Sequence, residues 1–271
     1  MKNKNFFILP IILENILFCI STIVGQTNQD SGISESFFNI NLPMEHNQVN
    51  DKLVMPLRWI GTGSGLGFSY LRTSPKAYHE ISLLMLVSGL KNRYHHKGYA
   101  IELTMEDILN YKVISSRSGG VIYLGPQIKW DAKFNFFRDW DDSHIYWLNS
   151  YEVGLSLKWN KYYKERQNIS VSAQVPLFAL VSRPPENQYT DQPPLIKPAY
   201  YFKSLNENLR FVTVNNYFSL RIHADYSFQM KSGNMIGGSW LFDYKASKIS
   251  RNITSISNIL MIRYYKIFGK K

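Results

Sequence analysis

Three titratable side chains that could act together lie two residues apart in one segment. Arg221, His223 and Asp225 alternate with the apolar residues Ile222 and Ala224. In an extended chain this spacing places the three side chains on one face, with neighbours about 7 Å apart. A histidine between a cation and a carboxylate is suited to proton transfer. The same row is also suited to a salt-bridged network, and the surrounding pattern favours that interpretation.

The segment that carries this row alternates between apolar and polar residues from 217 to 231. Its apolar residues share one parity: Phe218, Leu220, Ile222, Ala224, Tyr226, Phe228 and Met230. A β-strand sends successive side chains to opposite faces, so one face is apolar and the other is polar. The strand is also about 15 residues long, whereas strands of soluble proteins usually have about 5–6. Long strands with two distinct faces are typical of transmembrane β-barrels.

The same alternation recurs along most of the chain and predicts nine strands. They cover about 58–71, 77–90, 98–113, 119–136, 144–160, 167–182, 209–231, 234–249 and 251–268. Single-chain bacterial barrels have an even number of strands, so a tenth strand is expected within 35–57. The sequence therefore predicts an all-β fold, an antiparallel up-and-down transmembrane barrel of about ten strands, within a range of eight to twelve.

The polar faces of these strands are expected to line the barrel lumen. Parity places Lys129, Asp131 and Glu152 there, together with Arg221, His223 and Asp225. We predict that these six residues form a lumen polar network, to which further charges of both signs contribute: Glu102, Glu106, Lys133, Lys158, Asp243 and Lys245. We assign no catalytic residue, no cofactor and no metal ligand.

A row of glycines marks the first of the nine strands. Gly61, Gly63, Gly65 and Gly67 share one parity and leave one face of the strand bare. The order does not fit a dinucleotide fingerprint, because Leu66 stands where that motif needs glycine. Two explanations stay open: sharp strand curvature, or close packing of the N-terminal arm or a bulky inward side chain against the wall.

The N-terminus has the features of a secretory signal. Lys2 and Lys4 precede a mostly apolar stretch over 6–24, and a polar region begins near Gly25. We predict a signal peptide over 1–25, a flexible arm over 26–52 and a barrel over 53–271. Removal of the signal would also remove Cys19, the single cysteine. An uncleaved membrane anchor is the alternative for this segment.

The composition agrees with a membrane barrel. Aromatic residues make up 15% of the chain, as expected where aromatic girdles line both interfaces. The net charge of +11 is spread over loops and lumen positions without a basic run, so we expect contact with anionic lipid headgroups rather than nucleic acid.

The last strand resembles the aromatic-ended final strand of bacterial outer-membrane proteins. Leu260, Ile262, Tyr264 and Phe268 share one parity. The resemblance is to the outer-membrane β-barrel class of Gram-negative bacteria and covers about 58–268. It implies location in the bacterial outer membrane and contact with the barrel-assembly machinery, with outer-membrane lipids and lipopolysaccharide, and with another outer-membrane protein.

The function that we expect is non-enzymatic: a structural or accessory subunit of a surface or transport assembly. The alternatives are a narrow channel, an outer-membrane lipid hydrolase and a soluble lipocalin-like barrel. Lipid hydrolases of this class resemble one another in a His-x-Ser pair, and His79, His144 and His223 all lack a serine two residues later. A hydrolase would therefore need residues brought together from distant strands.

Overall fold

The fold is built almost entirely from long strands. The computed structural model describes residues 34–52, 57–116, 119–139, 141–163, 166–184, 205–206, 209–249 and 251–270. The strands are β1 (Glu35–Asp51), β2 (Arg58–Thr73), β3 (Ala77–Asn92), β4 (Lys97–Ser116), β5 (Gly120–Phe137), β6 (Asp141–Tyr163), β7 (Gln167–Ser182), β8 (Arg210–Thr213), β9 (Tyr217–Gln229), β10 (Met235–Ser247) and β11 (Ile253–Lys270). No helix among these residues is long and apolar enough to cross a membrane.

The strands close into an antiparallel barrel. Neighbours along the chain pair with each other, and β1 pairs with β11 to complete the ring. Strands β8 and β9 pair with successive halves of β7, so they share one position in the wall. The wall therefore has ten positions, which confirms the predicted fold class and strand number.

The predicted boundary between arm and barrel is wrong. Residues 35–51 were assigned to the flexible arm but form β1, which is the tenth strand expected within 35–57. Their inward and outward positions alternate like those of the other strands, and both neighbours supply backbone partners. The barrel thus begins at Glu35 rather than at residue 53. The predicted signal peptide and residues 26–33 lie outside the described residues.

The two faces of the wall differ as the alternation predicts. Outward positions carry large apolar side chains with substantial exposure, among them Leu42, Ile81, Met105, Leu157, Leu177, Tyr226 and Leu260. Inward positions are buried and mostly polar, for example Gln127, Lys129, Asp131 and Lys133 on β5. An apolar outer surface around a polar interior is the arrangement of barrels that span a bilayer. The lipocalin-like alternative requires the reverse and does not apply.

The barrel has two unlike ends. One end, called here the terminal end, carries the start of β1, the end of β11 and the short connections 74–76, 117–119, 164–166 and 230–234. The opposite end, called the loop end, carries the long proline-rich connection 183–209. Short turns on one side and longer loops on the other are typical of outer-membrane barrels.

Apolar side chains fill the lumen near the loop end. One buried cluster contains Val49, Leu148, Ala179, Val181, Val212, Tyr217, Ile249 and Ile253. A second contains Trp59, Leu90, Ala100, Phe137 and Tyr146. Most charged residues of the lumen lie below these two clusters, toward the terminal end, whereas Asp51 and Arg183 lie at the rim of the loop end.

Candidate functional site: the charged lumen

The centre of the lumen is organised around the ammonium group of Lys245 on β10. Its Nζ lies 2.5 Å from a carboxylate oxygen of Asp131, 3.0 Å from Glu102 and 3.2 Å from Asp243. Oxygen atoms of these three acids lie within 4.8 Å of one another. Three converging carboxylates suit a hard cation. Here the protein supplies that cation itself, since an ammonium group has three donors to offer.

Arg221 on β9 extends this centre toward the terminal end. Its guanidinium lies 2.6 Å from Asp243, 3.5 Å from Glu106 and 3.9 Å from Asp131. The partners lie on three strands, β10, β4 and β5, so Arg221 ties facing parts of the wall together across the lumen. All four side chains are at most 8% exposed.

Lys133 links the same centre to the closing seam of the barrel. Its Nζ lies 3.1 Å from Glu102. It also donates to Asn47 Oδ1 on β1 and to Ser255 Oγ on β11, both at 2.9 Å. Since β5 lies on the far side of the ring from this seam, the Lys133 side chain spans the lumen.

Lys129 forms a second branch with Glu152 on β6. The two charged groups lie 3.0 Å apart and are essentially inaccessible to solvent. Lys129 also donates to Ser219 Oγ at 3.1 Å, and the Tyr217 hydroxyl donates to Glu152 at 2.6 Å. This branch therefore joins β5 and β6 to β9.

The third group of charges is centred on Arg263 of β11. Its guanidinium lies 3.2 Å from Asp225 and 3.4 Å from Glu80. It donates to Asn41 Oδ1 at 3.0 Å and lies 3.3 Å from His223 Nε2. His223 and Asp225 thus belong to a terminal-end group, whereas Arg221, two residues away on the same strand, belongs to the centre.

The six residues proposed from the sequence all face the lumen, in three groups. Arg221 and Asp131 meet at the centre, Lys129 and Glu152 form the second branch, and His223 and Asp225 meet at Arg263. Arg263 was missed, although its parity opposite to Ile262 and Tyr264 marks it as an inward position. Pairing across the barrel depends on strand register and stagger, which the alternation of one strand does not give.

Two small cavities lie in the terminal half of the lumen. Each has a volume of about 60 Å³, which holds a few water molecules. Both are lined by Tyr78, Glu80, Lys158 and Arg263, so these four side chains stand between them. Lys158 Nζ lies 3.6 Å from the centre of the Tyr78 ring, and the Tyr78 hydroxyl donates to Glu80.

Arg183 braces the lumen at the loop end. Its guanidinium holds both carboxylate oxygens of Asp51, at 2.6 and 2.7 Å, with neither side chain more than 1% exposed. It also donates to the backbone carbonyls of Ile249 and Arg251. Arg183 directly follows β7 and Asp51 ends β1, so the contact joins two distant parts of the barrel rim. The sequence predicts Asp51 within the arm over 26–52 and therefore gives no indication of this pair.

The predicted glycine row faces the lumen on β2, which is the second strand of the barrel rather than the first. Asn41 of β1 packs against Gly67, and Glu45 of β1 reaches past Gly63 to Ser88 of β3. Of the two open explanations, the close approach of inward side chains is the one that these contacts support. Those side chains come from neighbouring strands.

The chain is similar to several solved outer-membrane barrels. The outer membrane protease OmpT from Escherichia coli has 9% identity and a TM-score of 0.41, with 89% of this chain and 98% of that chain covered. The translocator domain of the autotransporter NalP from Neisseria meningitidis has 9% identity and a TM-score of 0.40, with 94% and 95% covered. The β-domain of the Bordetella autotransporter BrkA has 12% identity and a TM-score of 0.44, with 87% and 100% covered.

No protein-family profile and no curated protein matches the chain. The apolar outer wall, the polar lumen and the asymmetry of the two ends are those of a bacterial outer-membrane β-barrel, as the sequence predicts.

Proposed function

We propose that this chain is a non-enzymatic outer-membrane β-barrel that serves as a structural or accessory subunit of a surface or transport assembly. The observation that carries the proposal is the placement of Lys245 among Glu102, Asp131 and Asp243. These charges meet across the middle of the barrel, where a conducting protein would need open space. Small barrels commonly fill their interiors in this way.

A lumen filled by its own side chains leaves two surfaces for interactions: the outer wall and the loops. The partners that we propose are accordingly outer-membrane lipids and lipopolysaccharide, the barrel-assembly machinery and another outer-membrane protein. The long connection at the loop end offers a surface for the last of these. Two of its residues bind outward-facing side chains of β6: Leu205 accepts a hydrogen bond from Asn149, and Asn206 accepts one from Tyr151.

Conductance of the purified protein tests the filled lumen directly. Wild-type protein in planar bilayers should give no stable single-channel steps, while an open porin in the same bilayer gives them. Reproducible unit steps from the wild-type barrel would overturn the proposal.

The alternative with a specific observation in its favour is a narrow channel. The two cavities of the terminal half are separated by movable side chains of Glu80, Lys158 and Arg263, and a shift of these would join them. If this is the start of a pore, the wild type conducts and Lys158→Ala changes its unit conductance. If the lumen is closed, neither protein conducts, because the apolar clusters of the loop end stay in place.

A further inference from the structure

The apolar outer wall is interrupted at the seam where β1 closes against β11. Most of the outward residues there are polar, with Ile60 and Ile256 as the apolar exceptions, and they reach from the loop end well down the wall; we call the polar ones the seam patch. They are Thr254 and Asn258 on β11, His46, Gln48 and Asn50 on β1, and Arg58, Thr62 and Ser64 on β2. His46, Arg58, Thr62 and Ser64 are exposed.

A row of paired residues shows that the patch lies within the apolar belt. The row runs across the wall in the order Ile222, Phe242, Asn258, His46, Thr62, Gly89, Tyr99 and Phe136. Strands of a closed barrel are tilted, so such a row climbs steadily around the wall. Its polar members lie between apolar members on both sides. Along the barrel axis, these polar residues therefore have apolar wall both above and below them.

Polar side chains in this position are unfavourable against hydrocarbon alone. An amide, hydroxyl or imidazole without a hydrogen-bond partner loses its interactions with water and gains none from an acyl chain. A partner with polar groups of its own removes that cost. The patch thus indicates a specific neighbour on this side of the barrel.

The charges around the patch identify the chemistry of that neighbour. Lys52, Lys91 and Arg251 are exposed at the rim above it, and Arg58 is exposed within the patch, where its guanidinium donates a hydrogen bond to the Gln48 amide oxygen. The outward positions of β1, β2 and β11 from the level of Met44 to the loop end contain no aspartate or glutamate. A second copy bound through the same patch would bring these cations against each other. An anionic neighbour would be attracted to them.

We propose that the seam patch binds lipopolysaccharide, the phosphorylated glycolipid of the outer leaflet. Its phosphates bind these cations, which form charge-assisted hydrogen bonds with phosphate oxygens. Its sugar hydroxyls form hydrogen bonds with the amide, hydroxyl and imidazole groups below. Its acyl chains cover the neighbouring apolar wall. The inference deepens the proposed function by naming the place and the lipid class of one partner, and it rests on that function and on a loop end that faces outside the cell, as the longer loops of outer-membrane barrels do.

Lipid retention tests the proposal. Folded protein in mild detergent is incubated with rough-form lipopolysaccharide, and bound lipid is counted by native mass spectrometry. The variant His46→Leu/Arg58→Gln alters the patch, and Arg138→Gln removes an exposed cation from the rim at the β5–β6 hairpin on the far side of the ring. We expect at least tenfold weaker binding for the first variant and wild-type binding for the second. Equal binding by all three proteins would overturn the proposal.

Two further arms separate the sources of the signal. Phosphatidylglycerol should not compete at equal concentration, whereas lipopolysaccharide without its phosphates should bind more weakly. Competition by phosphatidylglycerol would mean that any anionic lipid suffices and would overturn the specific site. A photo-crosslinking residue at position 46 in cells should capture lipopolysaccharide; capture of a second copy or another protein would contradict it. Conductance is independent of these measurements, so a failure here is distinguishable from a failure of the proposed function.

Discussion

The carboxylate of Glu45 on β1 crosses the inner face of β2 and accepts a hydrogen bond from the hydroxyl of Ser88 on β3. The residue between them in register is Gly63, which pairs with Glu45 on one side and with Ser88 on the other. A contact over a whole strand is possible because that strand has no side chain there. The glycine row therefore allows side chains of β1 and β3, which are not neighbouring strands, to contact each other.

Gly63→Ala should consequently damage the barrel. A Cβ at this position would lie 2.7 Å from the Ser88 Cα and would also strike the Val87 carbonyl and the Ser88 hydroxyl. We expect a destabilisation of about 1–3 kcal/mol, the usual range for overpacking. Urea unfolding in detergent micelles, followed by the loss of heat-modifiable mobility, measures it. Gly89→Ala is the matched control, because a Cβ there meets nothing within 4 Å. Equal unfolding midpoints for the two variants would contradict this account of the glycine row.

Removal of the Lys245 ammonium should also destabilise the barrel, through the loss of a buried charge rather than through overpacking. Lys245→Ala leaves Glu102, Asp131 and Asp243 close together without their central cation. Breaking a buried ion pair from one side costs about 3–5 kcal/mol. The unfolding midpoint should therefore fall strongly, with Lys76→Ala, an exposed position in a turn, as the control.

Divalent cations provide a second measurement on the same variant. The three carboxylates supply oxygen ligands of the kind that Ca²⁺ takes. Millimolar Ca²⁺ should raise the unfolding midpoint of Lys245→Ala and leave that of the wild type unchanged. A Ca²⁺ effect of the same size on both proteins would show that Lys245 does not occupy the position of a cation.

The alternation of side chains was sufficient to predict most of this fold. It placed Gln127, Lys129, Asp131 and Lys133 on one face, because burial in a barrel follows a period of two residues whatever the lumen contains. It was weakest at β1, where His46, Gln48 and Asn50 face outward and make the two faces look alike. That polar outer face led to the assignment of residues 35–51 to a flexible arm.

The composition of the charged lumen was also predictable, but its grouping was not. Arg221 and His223 lie two residues apart on one strand, yet Arg221 binds Asp243 and Glu106 while His223 meets Arg263. Such contacts depend on the reach of long side chains across the barrel. Strand register and stagger determine that reach, and both arise from pairing between strands rather than from any single segment.

The inside–outside assignment predicts opposite responses at two adjacent residues of β5. Ile128 faces outward, whereas Gln127 is 2% exposed and faces the lumen. Ile128→Arg should lower the folded yield, because a charge near the bilayer midplane of a barrel costs about 2–4 kcal/mol. Gln127→Arg should be tolerated better. The measurement is the fraction of heat-modifiable protein in lipid vesicles, and equal fractions would count against the assignment.

The orientation of the barrel predicts which connection is accessible from outside the cell. The segment 182–208 contains five prolines, which remove backbone donors and suit a loop rather than a strand. An epitope inserted near Asn187 should bind antibody on intact cells, and protease added outside should cut there. An epitope in the 230–234 turn should need permeabilised cells. Labelling of the Asn187 site only after permeabilisation would reverse the orientation.

The last prediction is that the barrel does not hydrolyse lipids. The pairing of β7 with β9 places Ser172 opposite His223, with Asp225 two residues along, so a serine and a histidine of the lumen are paired in register. A nucleophile must hydrogen-bond its base, but His223 Nε2 lies 3.3 Å from an Arg263 nitrogen that can only donate. Nε2 of His223 is therefore already engaged as an acceptor. Ser172 and His223 also line a cavity of about 60 Å³ in the lumen, which is too small for a lipid.

Purified protein in mixed micelles with phospholipid or lipopolysaccharide should release no fatty acid, with or without Ca²⁺. Release that is lost in both Ser172→Ala and His223→Ala, while Ser170→Ala retains it, would establish a hydrolase and refute the accessory role.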